Sequence, residues 1–400
     1  MTETLQPASA HQRLDDRWAA MGRSAELEGA LAGRHAVGDA LAGGVTPKLI
    51  LLFCSPAYDI DEVLSGVAEV AGDAPLIGCS TAGEIGTDGP GEHGVVALAL
   101  GGAGFTASTR AATDAADDLR AAGADVAQCM DHIGDRRYRT LILLTDGLAG
   151  DQQEVVRGAY GVLGATVPLV GGCAGDDLEM QRTVVMHGRE RLDDAVVAAA
   201  LGSDAPFGIG VRHGWRKVGE PMLVTGSSSN RVETLNDQPA LDVYLRQLGA
   251  PPEVADDASS FARFAQTHPL GLSRRSGEEV RFVAGADLED RSLSCIAEVP
   301  QGALVWIMEG DAQSVLDATD SACTAALAPL EGRPPVAMIA FDCIARRGVL
   351  GETGIRREIK RIAAQSAGAP VAGFYTYGEI ARTHGTGGFH NQTLVVLALG

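Results

Sequence analysis

Three segments of the chain repeat one order of four parts, and this repeat limits the possible fold more than any other feature of the sequence. Each copy has a short apolar run, a loop with an amphipathic helix, a proline-led apolar step into glycine-rich polar residues, and a final apolar run. A strand–helix–strand connection implies a parallel pair of strands with a right-handed crossover, and the last strand can return antiparallel. We therefore predict an α/β fold with mixed sheets, in two domains of repeated β-α-β-β units with glycine-rich loops.

The apolar runs are apolar at both odd and even positions, as expected of strands that are covered on both faces. The opening runs are 49–53, 140–144 and 336–341, and the closing runs are 95–101, 195–202 and 394–400. The glycine-rich steps lie at 74–85, 167–178 and 369–380. Because repeats often preserve packing alone, a purely structural role of these glycines in tight turns is the alternative to a binding role.

The length of 400 residues exceeds that of a single typical core and favours two domains. We predict an N-terminal helical extension at 1–45, with its helix at 25–41, followed by an N-terminal domain at 46–235 and a C-terminal domain at 236–400. Between the second and third repeats, the runs 207–211 and 222–224 look like the two strands of a hairpin.

The formal net charge is -20, and a field of that sign repels phosphate backbones and anionic lipid headgroups. We therefore expect neither nucleic acid nor a membrane as a partner, and no run of about 18 apolar residues would span a bilayer. The N-terminus lacks the apolar core of a secretory signal. The seven cysteines are odd in number and form no C-x-x-C pair, which favours reduced thiols and a cytoplasmic location.

The glycine-rich loops are the candidate ligand-binding elements, because ligands of open α/β sheets bind beyond the carboxyl ends of the strands. Glycine N–H groups suit a carboxylate and acidic side chains suit an amine, so an amino-acid-like or other small polar ligand satisfies both. We expect it to bind between the two domains. The predicted ligand-binding residues are Cys79, Ser80, Thr81, Glu84, Cys173, Asp176, Tyr375, Thr376, Tyr377, Glu379, His390 and Asn391.

An enzyme is the alternative interpretation of the first loop, since Cys79 or Ser80 in a glycine turn could act as a nucleophile. The G-x-S-x-G spacing is absent, and no histidine lies at a telling spacing. A buried structural cysteine and a turn-forming serine explain the same residues. The sequence contains no H-E-x-x-H, C-x-x-C or P-loop motif that would indicate a zinc hydrolase or a nucleotide site.

The motifs of these loops resemble those of the FIST-domain family. The runs G-C-S-T-A-G-E-I (78–85), T-D-G-L-A-G-D (145–151) and G-G-C-A-G-D-D (171–177) look like its N-terminal domain. The runs G-F-Y-T-Y-G-E-I (373–380) and F-H-N-Q-T (389–393) look like its C-terminal domain. The resemblance covers the chain from about residue 49 onward.

This resemblance implies a non-catalytic sensory module of bacterial signal transduction that binds small ligands such as amino acids. Since the two domains fill the chain, it also implies a separate output protein of the kinase, cyclase or chemotaxis type. Some family members are described as haem-binding nitric oxide sensors, so haem is the alternative cofactor, and no other cofactor is predicted. Among the residues, His93, His187, His213 and His390 are candidate axial ligands, whereas the low aromatic content of 4% disfavours a porphyrin pocket.

Overall fold

The structure contains the three predicted repeats, and each repeat begins one strand and one helix earlier than the sequence pattern indicates. The computed structural model describes residues 10–42, 46–274, 277–383 and 387–400. A strand β1 (Ala10–Leu14) precedes the first repeat. The elements of that repeat are β2 (Arg17–Ser24), α1 (Gly29–Ala40), β3 (Pro47–Cys54), α2 (Ile60–Ala71), β4 (Leu76–Ser80), β5 (Glu84–Gly86), β6 (Gly89–Gly91) and β7 (Val95–Gly101).

The second repeat has the same order of elements as the first. They are β8 (Phe105–Thr113), α3 (Leu119–Ala127), β9 (Tyr138–Thr145), α4 (Gln152–Leu163), β10 (Leu169–Cys173), β11 (Val185–His187), β12 (Glu190–Leu192) and β13 (Ala195–Ser203).

The third repeat is interrupted by an insertion after its first strand, β14 (Phe207–Arg212). The inserted elements are β15 (Arg216–Ser228), β16 (Arg231–Leu235), β17 (Gln238–Pro239), α5 (Ala240–Leu248), α6 (Pro252–Asp256), α7 (Ala258–Ala265), β18 (Leu270–Arg274), β19 (Gly277–Arg281), β20 (Val283–Asp287), β21 (Ser292–Cys295) and β22 (Leu304–Glu309). The repeat resumes with α8 (Ala312–Leu327), β23 (Ala337–Cys343), α9 (Ile344–Gln365), β24 (Val371–Thr376), β25 (Glu379–Arg382), β26 (Phe389–His390) and β27 (Leu394–Leu399). The predicted α/β class with mixed sheets is thus confirmed.

Equivalent local signals bound the second helix of the first two repeats. Asp59 caps the N-terminus of α2 by accepting a hydrogen bond from a main-chain N–H of the first turn, and Asp151 does the same for α4. Each helix ends at a glycine in a positive-φ conformation, Gly72 at φ 59° and Gly164 at φ 67°. The chain therefore turns back at the same point of both repeats to start the next strand.

The sheets of the three repeats share one strand order. It reads β2-β7-β3-β4 in the first, β8-β13-β9-β10 in the second and β14-β27-β23-β24 in the third. In every repeat the two strands joined by the second helix are parallel, and the final strand is antiparallel to its neighbour. Each sheet is therefore mixed, as the repeat predicts.

Each repeat also contributes a short hairpin to the sheet of another repeat. β5 and β6 extend the third sheet through β24, β11 and β12 extend the first sheet through β4, and β25 and β26 extend the second sheet through β10. The exchange closes a ring of three, so the repeats are related by an approximate threefold axis. The glycine-rich loops lead into the exchanged strands and therefore meet near that axis.

The first glycine of each loop motif is required by close packing within the sheet. A Cβ on Gly78 would lie 2.4 Å from the carbonyl oxygen of its register partner on the parallel strand. The corresponding distances are 1.8 Å for Gly171 and 1.9 Å for Gly373. Since these contacts are with main-chain oxygens, no side-chain rearrangement could relieve them. The glycines at these positions have a structural role, whatever the loops bind.

The three sheets pack against one another through their inner faces and carry helices on their outer faces. The inner cluster joins residues of all three sheets, and in it the rings of Phe53 and Phe374 stack with centroids 4.9 Å apart. Separate apolar clusters fill the space between each sheet and its own helices. Burial on both faces explains why the strand runs are apolar at both parities.

The insertion forms a further unit with its own apolar core, in which Tyr244 and Phe261 are fully buried. The predicted hairpin of 207–211 and 222–224 is absent from this region. β14 instead pairs with β27 of the third repeat, whereas β15 pairs with β22 and β16 within the insertion. The two runs therefore belong to different sheets.

The sheets combine strands from parts of the chain that are far apart in the sequence, including the predicted N-terminal extension. The N-terminal extension contains the expected helix, α1, and also two strands, of which β2 pairs along its whole length with β7. The strands β5, β6 and β14 come from the first 235 residues but lie in the sheet of the third repeat. In the described ranges, no helix is long and apolar enough to cross a bilayer.

Candidate functional site

The three glycine-rich loops converge, as the predicted binding site requires. One main-chain amide of each loop donates a hydrogen bond to the strand end that precedes the next loop. These bonds run from Ala82 N to Tyr375 O (3.0 Å), from Gly175 N to Ser80 O (3.0 Å) and from Tyr377 N to Cys173 O (3.3 Å). The loops are thus locked together around the approximate threefold axis.

The carboxylate of the first loop, Glu84, is fully buried and bonded within the protein. Its Oε1 accepts a hydrogen bond from Thr81 Oγ1 at 2.6 Å, and its Oε2 accepts one from Gly94 N at 3.1 Å. Burial raises the pKa of Glu84 to about 7, although both hydrogen bonds favour the ionised form and act in the opposite direction. This carboxyl group therefore holds its proton far more tightly than an exposed glutamate does.

The third loop reproduces this arrangement at Glu379. Its Oε1 accepts a hydrogen bond from Thr376 Oγ1 at 2.5 Å, and its Oε2 accepts from Thr393 through both N (3.1 Å) and Oγ1 (2.8 Å). Burial again raises the pKa, to about 7, against the opposing effect of the hydrogen bonds. Four of the predicted binding residues (Thr81, Glu84, Thr376 and Glu379) therefore form two buried Thr–Glu pairs.

The second loop is held by Asp176, another of the predicted binding residues. Its carboxylate accepts hydrogen bonds from the main-chain N–H groups of residues 180–182, at 2.7–3.0 Å, and from the Tyr377 hydroxyl. Burial alone would raise the pKa of Asp176, but these four donors outweigh it and lower the pKa. Asp176 and Tyr377 thus fix the conformation of this loop.

The candidate nucleophiles lie beneath the loops and away from solvent. Cys79 is fully buried, and burial raises the pKa of its thiol well above the usual value. Ser80 Oγ exchanges hydrogen bonds with the main chain of Val184, at 3.0 and 3.4 Å. Cys173 is also buried and accepts a hydrogen bond from Thr145 Oγ1 at 3.2 Å. In the part of the chain that the structure describes, neither Cys79 nor Ser80 contacts a histidine or carboxylate that could act as its base.

Of the remaining predicted residues, Tyr375 lies in β24 before the third loop, and His390 and Asn391 lie at the end of β26. His390 is hydrogen-bonded through Nε2 to the carbonyl of Ala381 at 2.9 Å, and burial lowers its pKa. Asn391 is buried, and its Oδ1 accepts no hydrogen bond from the described residues. Tyr375 is fully buried against α9. None of these three side chains lines the cleft described next.

An open cleft lies beside the converged loops, where the first two loops face the start of α9. Its volume is about 470 Å³, within the range of sites for small molecules. It joins side chains from the N-terminal and C-terminal halves of the chain. The lining residues are Ala82, Glu92, His93, Asp177, Leu178, Ile344, Arg347, Gly348, Gly351 and Glu352.

Arg347 is the central cation of this cleft. Its guanidinium donates to the carbonyl of Ala82 at 2.9 Å and to Glu92 Oε1 at 2.5 Å, and lies 5.2 Å from the centroid of the Tyr375 ring. Glu352 Oε1 is 3.6 Å away. A guanidinium held at the mouth of a cleft by a carbonyl and an aromatic face is well placed to bind a planar anion such as a carboxylate.

Three carboxylates surround this cation, so the cleft also attracts positive groups. Glu92, Asp177 and Glu352 are all exposed, and Asp177 belongs to the second loop. Asp177 stands six residues after Gly171, as Glu84 stands six after Gly78, but in the sheets the position of Glu84 and Glu379 is taken by Val185, the first residue of β11. Partial burial raises the pKa of Asp177, although His93 and Arg347 act in the opposite direction. Unlike Glu84 and Glu379, Asp177 faces the cleft.

Arg347 is not among the residues predicted from the sequence, because its neighbours suggest only the polar face of a helix. One signal was available: it lies in the first turn after the opening strand of the third repeat, beside the carboxyl ends of parallel strands. The helix also breaks at Gly351, whose φ of 60° and ψ of 177° are not helical. The break separates the short segment 344–350, which carries Arg347, from the rest of α9.

The preceding residue, Arg346, points to the opposite side of the same segment, into a buried ionic cluster. It donates to Asp342 Oδ1 at 2.7 Å, to Glu358 Oε1 at 2.5 Å and to Thr319 Oγ1 at 3.1 Å. Arg346 and Glu358 are fully buried and Asp342 nearly so. Burial, and then the charge of Glu358, raise the pKa of Asp342 well above its usual range. One guanidinium thus serves two buried carboxyl groups.

Haem does not fit the cleft. A macrocycle needs a large apolar surface and an axial ligand. Among the lining residues, only Leu178 and Ile344 offer large apolar side chains, and His93 is the single histidine. The acidic lining suits a small polar molecule better.

Comparison with known proteins places the motifs in a wider context. A model of the FIST N domain matches residues 48–238, and a model of the FIST C domain matches residues 240–382. Two uncharacterized proteins from two strains of Mycobacterium tuberculosis are each 28% identical over 236 residues, which cover 58% of this chain and 60% of each relative. The chain therefore matches less than two thirds of the length of these relatives.

A solved structure of PurLQS from Thermotoga maritima also matches in part. It is 13% identical in sequence, and the match covers 98% of this chain and 74% of that one. The TM-score is 0.23, which is too low to establish a common fold.

Proposed function

The chain belongs to the FIST family, whose domains are sensory domains of signal transduction, and we propose that it senses a small polar molecule bound in the Arg347 cleft. The proposed ligand carries both an anionic and a cationic group, as an amino acid does. Its carboxylate binds Arg347, and its ammonium group binds Asp177 together with the exposed carboxylates of the cleft. The chain is proposed to act without catalysis, by binding.

The single observation that carries this proposal is that one open cleft is lined both by an arginine and by an aspartate that has no hydrogen-bond or ion-pair partner among the described residues. Arg347 comes from the C-terminal half and Asp177 from the N-terminal half. A ligand that bridges them connects the two halves, which is how binding could change the arrangement of a signalling protein. The volume of about 470 Å³ accommodates a molecule of amino-acid size.

The loop carboxylates predicted from sequence contribute indirectly to this site. Glu84, Asp176 and Glu379 are engaged by protein donors, and they hold the loops from which Asp177 and Ala82 reach the cleft. A ligand that displaced these internal hydrogen bonds would leave buried donors unpaired, at a cost of about 1–3 kcal/mol for each. The cleft offers charged groups without that penalty.

A thermal-shift screen of the full chain against amino acids, polyamines and dicarboxylates tests the proposal. We expect at least one zwitterionic compound to raise the melting temperature, because a ligand that binds only the folded state stabilises it. Arg347→Gln should abolish the shift. The matched control is Arg361→Gln, since Arg361 lies on the same helix but pairs with Asp320 at 2.8 Å, outside the cleft.

A second variant distinguishes binding of the anionic group of the proposed ligand from binding of its cationic group. Glu92→Gln removes the nearer of the two carboxylates paired with Arg347, so it should strengthen binding of an anionic group and weaken binding of a cationic one. Absence of any shift across the screen, or an equal shift in wild type and Arg347→Gln, would refute the proposed site.

The cellular context of this sensor is part of the proposal. We propose a cytoplasmic bacterial protein that signals through a separate output protein of the kinase, cyclase or chemotaxis type. The family membership and the seven buried free thiols support it.

A further inference from the structure

The second part of α9, after the break at Gly351, carries three cations on its exposed face. Arg356, Arg357 and Lys360 are all exposed, and within the described ranges none of them has an ion-pair partner. We refer to these three residues as the basic face. Their neighbour Arg361, in contrast, is paired with Asp317 and Asp320 of α8. The basic face is thus distinct from the ordinary ion-paired surface around it.

The stability of the helix does not explain these charges. Arg356 and Lys360 are four residues apart, and Arg357 and Lys360 are three apart, so the like charges are neighbours on the helix surface and destabilise it slightly. Cations favour the last turn of a helix through its dipole, but the last turn of α9 contains no basic residue. Glu352, four residues before Arg356, points to Arg347 instead.

The composition of the chain makes the basic face unusual. Asp and Glu number 52 against 32 Lys and Arg, so an exposed cation has many carboxylates available in the chain. Most of the described arginines do form ion pairs. Three adjacent cations without one therefore form a local positive patch on an acidic molecule.

The position of the basic face connects it to the cleft. Arg356 lies one helical turn beyond Glu352, which lines the cleft, and Gly351 separates the two parts of the helix. A partner on the basic face would touch the same helix that contributes Arg347 to the proposed ligand site. Ligand binding could alter such a contact without a large movement.

We propose that the basic face of α9 is the docking surface for an acidic surface of a partner protein, and this extends the proposed sensory function. The net charge of the chain favours an acidic patch of a protein, rather than a nucleic acid or an anionic membrane, as the partner. A nucleic acid or an anionic membrane would bring many negative charges against a molecule of charge -20. A local acidic patch of a protein meets the basic face within roughly one Debye length, about 8 Å at physiological salt, and the remaining charges are screened.

Direct binding to a defined probe tests the proposal. The probe is a fluorescent helical peptide with glutamates along one face, and its control has glutamine at the same positions. Fluorescence anisotropy with the full chain at physiological salt, where the Debye length is about 8 Å, should show binding of the glutamate peptide only. The triple variant Arg356→Gln, Arg357→Gln and Lys360→Gln should weaken this binding about tenfold, the order expected for three exposed charge contacts.

A matched control removes the same charge elsewhere. Lys48, Arg137 and Arg333 are exposed, lie far apart in the sequence and have no ion-pair partner among the described residues. Their triple replacement by Gln should leave peptide binding within about twofold of wild type, because charges more than a Debye length from the bound peptide are largely screened. Equal loss in both triple variants would overturn the proposal.

Two further measurements complete the test. A short DNA duplex and vesicles containing phosphatidylserine should bind more weakly than the glutamate peptide, and tighter binding of either would overturn the choice of a protein partner. The thermal shift caused by a cleft ligand should be the same in wild type and in the triple variant of the basic face. Failure of the docking surface is therefore distinguishable from failure of the ligand site.

Discussion

The two buried glutamates of the loops give a quantitative prediction about pH. The pKa of Glu84 and of Glu379 is raised by burial from 4.5 to about 7. Between these two values the folded chain carries a proton that the unfolded chain has lost. The free energy of unfolding therefore falls as the pH rises through this window, and the loss is complete above pH 7. Each shift corresponds to about 3 kcal/mol at 1.36 kcal/mol for each pKa unit.

The perturbation is the double variant Glu84→Gln and Glu379→Gln. A glutamine amide keeps the shape of the side chain, can donate to the threonine hydroxyl and still offers an oxygen to the main-chain N–H. It has no charge to desolvate at high pH. We expect the difference in unfolding free energy between the variant and wild type to shift in favour of the variant by about 6 kcal/mol from pH 4.5 to pH 8.

Urea unfolding at a series of pH values measures this difference. Buried histidines also titrate in the range, but they contribute equally to both proteins and cancel in the difference. A control double variant, Glu253→Gln and Glu331→Gln, changes two exposed glutamates and should run parallel to wild type. If the Glu84 and Glu379 variant also runs parallel to wild type, these carboxyl groups are not buried in the way described.

Three further predictions concern stability and loop order. Arg346→Met should destabilise the fold by about 3–5 kcal/mol in urea unfolding at pH 7, since it leaves two buried carboxyl groups without a cation. Arg361→Met, which breaks an exposed ion pair, should cost less than about 1 kcal/mol, and similar values for both variants would contradict the buried ionic cluster. Gly373→Ala should prevent folding or cost several kcal/mol, because the added Cβ would lie 1.9 Å from a main-chain oxygen. Gly38→Ala places its Cβ in open space on α1 and should be neutral or stabilising in circular dichroism melts. Tyr377→Phe should speed hydrogen exchange of the amides at 180–182, because Asp176 loses one of its donors; unchanged exchange would show that the loop holds without it.

The repeat could be predicted from the sequence because each of its parts is encoded in a short window of residues. The apolar runs, the helices capped by Asp59 and Asp151 and the glycine loops all follow from residue types within short windows. Burial on both faces was also readable, since the runs are apolar at both parities. These observations sufficed for the α/β class and for the convergence of the loops at one edge of the sheets.

The pairing partner of each strand could not be predicted from the sequence in the same way. The runs 207–211 and 222–224 are close in sequence and resemble a hairpin, yet β14 pairs with β27, almost two hundred residues later. The exchanged hairpins likewise join distant repeats. Strand pairing depends on which edge is free when the sheets pack, and a local pattern contains no information about that edge.

The candidate site shows the same division. Its loop residues could be selected from sequence, because glycine and acidic residues at strand ends are a general signal. Their partners could not: Glu84 and Glu379 point into the protein, whereas Asp177 points into the cleft, which Arg347 reaches from α9 of the third repeat. By itself the sequence determined the units and their loops. Only the packing of three units around one axis decided which carboxylates lost their water and which kept it, because desolvation depends on everything that surrounds a group.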